Sequence, residues 1–139
     1  MTETHYRSAT LKWDGKLAFT GGNEAGGPKI TLDGDGVEGP SPVVSLLLAA
    51  GACAGSDVVL ILEKMKVELD EFTIELRGRR NEDYPRRFNH IWMTFRLSGR
   101  GLTAQNVGRA VQLSVDKYCS VLKTLDPAMP VETEVFIVS

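Results

Sequence analysis

The chain has 139 residues, 42% of them hydrophobic and 24% charged. Those fractions sit near globular averages and exclude disorder of the whole chain; the length suits one domain over residues 1–139, large enough for a core without metal or disulfide. Sixteen Lys and Arg against eighteen Asp and Glu leave a formal charge of -2, which argues against a dedicated nucleic-acid binder, whose surface would show a basic surplus.

Residues 1–7 are polar and carry no apolar run of the kind that directs secretion. Residues 8–13 and 17–20 read as strands on either side of Asp14-Gly15, a pair that favours a two-residue hairpin. Gly21-Gly22-Asn23 and Gly26-Gly27 mark the next connection, and residues 29–32 form a third strand. Asp33-Gly34-Asp35-Gly36 then breaks the sheet. Its alternating acids are a weak calcium cue, but the later ligands and closing glutamate of an EF-hand are missing, so it reads as a turn.

Ser41-Pro42 is a helix start, with serine as N-cap and proline at the first helical position. The helix is predicted to run from Pro42 to about Lys66. Its first half, residues 43–54, is interrupted only by Ser45 and Gly51 and is apolar on nearly every face, so burial on all sides is expected. Glu63, Lys64 and Lys66 make the second half amphipathic. An apolar run of about twelve residues falls short of the roughly 20 that span a bilayer. A cytoplasmic protein with no membrane partner is therefore expected.

Residues 67–79 alternate in part (Phe72, Ile74, Leu76) and read as a strand. A charged connection follows, and residues 88–98 form another strand with Ile91, Met93, Phe95 and Leu97 on one face. Phe88, His90 and Trp92 fall on the other. Thr103 caps a second helix, whose buried stripe is Val107, Ala110, Val111, Ser114, Val115 and Tyr118. Cys119 comes one position after that stripe, and Asp126-Pro127 ends the helical region. Residues 131–138 form a last strand. The order βββ-α-ββ-α-β is an α+β fold, with mostly antiparallel strands around a long buried central helix.

Cys53 and Cys119 lie sixty-six positions apart. A reducing cytoplasm keeps both as thiols, and with His5 and His90 they make a poor zinc set. Small residues flank Cys53 in Ala49-Ala50-Gly51-Ala52-Cys53-Ala54-Gly55-Ser56. They leave room around the sulfur, or equally let another element pack close to an inert cysteine. Cys119 reads as a small core residue, with Lys117 more naturally pointing to solvent than at the thiol. The pair says more than either residue, because each sits on a different predicted helix. If those helices pack, the thiols can come into disulfide range, Cα separations of about 4.4–6.8 Å. Spacing alone leaves the inert and redox readings both open. His90 reads as a surface histidine or an acid-base group, and Trp13 and Trp92 as core, dimer or pocket residues.

Ser41-Pro42 through Leu48-Ala49-Ala50-Gly51-Ala52-Cys53, on to Asp57-Val58-Val59, resembles the OsmC/Ohr family of thiol-dependent peroxidases. So does Asp116-Lys117-Tyr118-Cys119-Ser120-Val121. Arg79-Arg80 and Phe88-Asn89-His90-Ile91 look most like its YhfA-type OsmC-like branch. The resemblance implies an intertwined homodimer with two sites at the subunit interface. It implies a peroxiredoxin-like organic hydroperoxide reductase for defence against oxidative stress, with Cys53 as the peroxidatic residue and Cys119 as the resolving one. A Cys53 sulfenic acid would condense with Cys119 to a disulfide, which an external dithiol, in one branch a lipoyl group on a protein, would reduce. No metal, flavin or haem cofactor is implied. The Ohr branch places a glutamate ten residues before the first cysteine, paired with an arginine from the N-terminal sheet. Here that position is Val43, and Trp13-Asp14-Gly15-Lys16 carries no arginine. Substitute cations are Lys12, Lys16, Arg79, Arg80, Arg86 and Arg87. The rival readings are an OsmC-like dimer that binds a small apolar ligand, and a redox sensor without efficient turnover.

Overall fold

The computed structural model describes residues 5–138, so the start of the polar N-terminal stretch, residues 1–4, lies outside the described residues. The chain divides into two compact units, Met1–Leu46 and Leu47–Ser139.

The first unit holds an antiparallel sheet of β1 (Ala9–Gly15), β2 (Ala18–Asn23) and β3 (Lys29–Asp33), in that order. The first hairpin closes one step later than Asp14-Gly15 predicts. Asp14 is the extra residue of a bulge, Gly15 pairs with Ala18, and the two loop residues are Lys16 and Leu17. Gly15 (+110°) and Lys16 (+46°) take positive φ at this turn, which glycine does without steric cost. Pairing places Leu11, Trp13, Phe19 and Ile30 on one face, and all four are exposed. The Asp33 turn is held by its own carboxylate. One oxygen accepts the Asp35 N–H (2.9 Å), the other those of Glu38 (3.0 Å) and Val37 (3.3 Å). Those bonds, Glu38 and Asp35 foremost, hold the Asp33 carboxyl below its usual range.

Helix α1 (Pro42–Lys64) starts at the predicted proline, with Ser41 Oγ accepting the Val44 N–H, and runs into the second unit. At 23 residues it is long and apolar enough by length and composition to cross a membrane, more than the twelve-residue run suggests. Ala50, Gly51, Ala54, Gly55, Val58 and Leu62 are its buried residues. In the second unit, β4 (Glu68–Arg80), β5 (Phe88–Arg100) and β6 (Val131–Ile137) form a sheet in that order. β4 and β5 are antiparallel, whereas β5 and β6 are parallel. A parallel pair needs a crossover. It is provided by α2 (Ala104–Leu113), a π-helical turn (Ser114–Tyr118) and α3 (Ser120–Thr124).

One sheet face is apolar. Ile91, Met93, Phe95 and Leu97 are fully buried on it, and burying each such side chain is worth about 1.5–3 kcal/mol. Gly51 and Gly55 let α1 lie close to this face. A Cβ at Gly51 would come within 2.6 Å of Leu76 Cδ1, and one at Gly55 within 2.8 Å of Ile74 Cδ1. The expectation that the first half of α1 is buried on all sides is corrected. Ala50, Gly51, Ala54 and Gly55 are buried, but Leu48 (51% exposed) and Ala52 are not, and neither are Val59 and Leu60 further along. The second unit supplies packing partners for one side of the cylinder only. The solvent-facing Glu63, Lys64 and Lys66 agree with the expected amphipathic end.

Candidate functional site

Cys53 is half-buried in the middle of α1, and Cys119 is buried where the π-helical turn meets α3; both are free thiols. Irregular backbone brings Cys119 inward. The π-helical turn closes with the Cys119 N–H donating to the Ser114 carbonyl five residues back, at 2.7 Å. A π turn takes up one residue more than an α turn. The buried stripe therefore runs Val107, Ala110, Val111, Ser114, Cys119 and Leu122, while Val115 is half-buried and Tyr118 is 50% exposed. The predicted stripe ended on Tyr118 because it assumed a regular helix.

Cys119 leaves the helical region of backbone space (φ -68°, ψ 104°), and its Sγ caps α3 by accepting the Leu122 N–H at 3.5 Å. The same sulfur lies 3.9 Å from the carbonyl oxygen of Ala50, one turn before Cys53 on α1. The Cys119 thiol also interacts with that of Cys53, so the two residues singled out in the sequence are neighbours. Burial pushes the Cys119 thiol up from 9.0 to about 11; the Leu122 N–H opposes this, and the Cys53 sulfur adds to it. At neutral pH Cys119 is a thiol, not a thiolate.

Sequence reasoning did not single out two residues that join this site. Ser114 Oγ, fully buried, donates to Asp57 Oδ2 at 2.9 Å and lies 3.1 Å from the Ala54 carbonyl. Ala54 follows Cys53, and Asp57 is one helical turn further on. The sequence signals were slight: Ser114 as a small member of the helix stripe, and Asp57 four positions after Cys53 in the stretch that carries the resemblance.

The four arginines offered as substitute cations, Arg79 and Arg80 at the end of β4 and Arg86 and Arg87 in the connection to β5, are engaged elsewhere. Arg87 pairs with Asp126 at 2.7 Å. Arg79 Nε donates to Asn89 Oδ1, with its guanidinium 5.8 Å from the Trp92 ring. Arg80 Nε donates to the Arg86 carbonyl, and the Arg86 guanidinium sits over Tyr84. His90 stacks on Trp92 with ring centroids 4.0 Å apart and bonds Glu132 at 2.5 Å. The contacts of Arg79, His90 and Glu132 with Trp92 and one another lie on the face opposite to the one α1 covers, as the pairing of Trp92 with Arg77 and Glu132 and of Arg79 with His90 shows. Phe88 does not share that face as predicted. A bulge at Asn89 turns Phe88 inward, against Gly78. Lys12 and Lys16 belong to the first unit, and Val43 to the first turn of α1.

A family model described as OsmC-like protein matches residues 33–134. The chain belongs to the OsmC-like family. Protein YhfA of Escherichia coli K12 is 42% identical over 122 residues, covering 87% of this chain and 90% of that protein. Among solved structures, one from Aquifex aeolicus VF5 is 28% identical with a TM-score of 0.85, over 96% of each chain. The organic hydroperoxide resistance protein OhrB of Bacillus subtilis is 17% identical with a TM-score of 0.62, over 94% of this chain and 98% of that one, and shares the OsmC-like fold. The family match spans both cysteines, Ser114 and Asp57.

Proposed function

We propose that this protein is a dithiol-dependent peroxidase that reduces organic hydroperoxides in the cytoplasm as part of oxidative-stress defence. The observation that carries the reading is the meeting of two thiols in different environments, Cys53 half-buried and Cys119 buried. The family, and the name of the Bacillus subtilis organic hydroperoxide resistance protein OhrB, point the same way. In the first step the Cys53 thiolate attacks the terminal peroxide oxygen. The O–O bond breaks, its electron pair leaves with the alkoxide, a proton from solvent completes the alcohol, and Cys53 becomes a sulfenic acid. Cys119, kept protonated by burial, does not compete for peroxide. It condenses with the sulfenic acid, releasing water and forming the Cys53–Cys119 disulfide. An external dithiol, such as a lipoyl group on a protein, restores both thiols by exchange and leaves as its own disulfide. No metal, flavin or haem enters these steps.

The working form in this reading is a homodimer of one OsmC-like domain. Leu11, Trp13, Phe19 and Ile30 in the first unit, and Leu48, Val59 and Leu60 in the second, are each left exposed. Surfaces of that kind mark association sites. A second reading, a binder of small apolar ligands, draws on a groove of about 680 Å³ between α1 and β4, lined by Leu48, Val59, Phe72 and Leu76 among others.

Reduced protein mixed with a slight excess of cumene hydroperoxide separates the two. A peroxidase loses both free thiols rapidly and two mass units, and its Cys119→Ser variant gains one oxygen on Cys53. Thiols that persist for hours would overturn the peroxidase and leave the binder.

A further inference from the structure

We propose that Ser114 is the positioning residue that holds Cys119 in register with Cys53; the inference rests on reading the two thiols as a redox pair. One residue makes both halves of the tie. Its carbonyl accepts the Cys119 N–H at 2.7 Å and closes the π-helical turn. Its hydroxyl, with no exposure to solvent, reaches α1 at Asp57 Oδ2 (2.9 Å) and the Ala54 carbonyl (3.1 Å), on the Cys119-facing side of the helix that bears Cys53. The remaining packing of α2 on its buried side is Val107, Ala110 and Val111. Apolar contacts of that kind are non-directional and tolerate small slides and rotations. Disulfide formation does not, because Cβ separations outside about 3.5–4.5 Å store strain. A hydrogen bond to a carboxylate is directional and among the stronger kinds. The hydroxyl therefore sets the rotation and height of the π turn, and with them the distance between the sulfurs.

The test uses the full chain in glutathione redox buffers and reads the equilibrium between dithiol and disulfide. In that exchange Cys53 and Cys119 each give up a proton and together two electrons. The disulfide bond of oxidised glutathione breaks, the Cys53–Cys119 bond forms, and two molecules of glutathione thiol leave. The Ser114→Ala variant is expected to shift the equilibrium about tenfold toward the dithiol, the size set by one lost hydrogen bond to a charged group. Thr103→Ala is the control. Thr103 Oγ1 accepts the Asn106 N–H at 3.0 Å at the far end of α2. Losing that cap lowers thermal stability without touching the tie, so the redox equilibrium stays at the wild-type value. Asp57→Ala, which removes the acceptor from a half-buried position, shifts the equilibrium in the same direction as Ser114→Ala, and Asp57→Asn restores it.

An equally large shift in Thr103→Ala would overturn the proposal, because the effect would then track helix stability. So would wild-type thiols that form no disulfide at any glutathione ratio. A disulfide that forms, and weakens in Ser114→Ala, in a protein that leaves cumene hydroperoxide untouched supports the positioning role and removes the peroxidase reading alone.

Discussion

At position 119 the thiol is enclosed, caps α3 and faces a second sulfur, so its ionisation is linked to stability. In the unfolded chain it ionises near 9.0, and in the reduced folded protein at about 11. Below the lower value both states hold the proton and Cys119 adds no pH dependence. Between the two, the unfolded chain releases the proton and the folded chain keeps it, so stability falls as pH rises; above the higher value the loss levels off. Urea midpoints of the reduced protein between pH 8 and pH 11 should therefore fall more steeply in wild type than in Cys119→Ser. Parallel curves would show that burial of the thiol costs nothing on ionisation. The two cysteines were legible as residue types on separate helices, but their meeting was not. It depends on a π-helical turn, a five-residue step that no three-four spacing announces. Ser114 was legible only as one more small member of the stripe, since its partner Asp57 lies fifty-seven positions away. Phe88 was misplaced beside His90 and Trp92 for a similar reason: a bulge at Asn89 changes the alternation without a signature in the residues around it.

At the level of elements, period and punctuation carried most of the fold. The start of α1 at Ser41-Pro42, the strand with Ile91, Met93, Phe95 and Leu97 inside, and the alternation of β6 all follow from local pattern. The parallel pairing of β5 with β6 does not, because strand direction within a sheet is decided by tertiary packing of the crossover. The glycines at 51 and 55 were visible, and their purpose comes from β4, which approaches α1 through Leu76 and Ile74. Glycine costs a helix about 1 kcal/mol relative to alanine, so it is retained here for close approach. Gly51→Leu should destabilise by about 1–3 kcal/mol through overpacking. The double variant with Leu76→Ala should recover part of that loss, because the incoming side chain then takes the vacated volume. Chemical denaturation of the four proteins of this cycle measures the coupling. Simple additivity would mean that Gly51 and Leu76 do not share the space.

For the whole molecule, the decisive feature is apolar surface that one chain leaves uncovered. The sequence signalled it as a stretch of α1 apolar on nearly every face, and the reading of all-round burial failed because it counted packing that the second unit supplies on one side only. On α1, Leu48 and Leu60 are 51% and 57% exposed. A substitution at such positions changes the stability of an isolated chain by about 0.5 kcal/mol or less. In an interface it is far more disruptive, because each glutamate would bury an unpaired charge. The Leu48→Glu, Leu60→Glu double variant should therefore keep the helical circular-dichroism signal of the parent while its mass by sizing with light scattering falls from two subunits to one. A wild-type protein that already runs at the mass of one subunit at micromolar concentration would overturn the dimer. The thiol pair would not fall with it, since Cys53, Cys119, Ser114 and Asp57 all come from the same unit of one chain. A monomer that still cycles its disulfide would place the redox chemistry in the second unit alone.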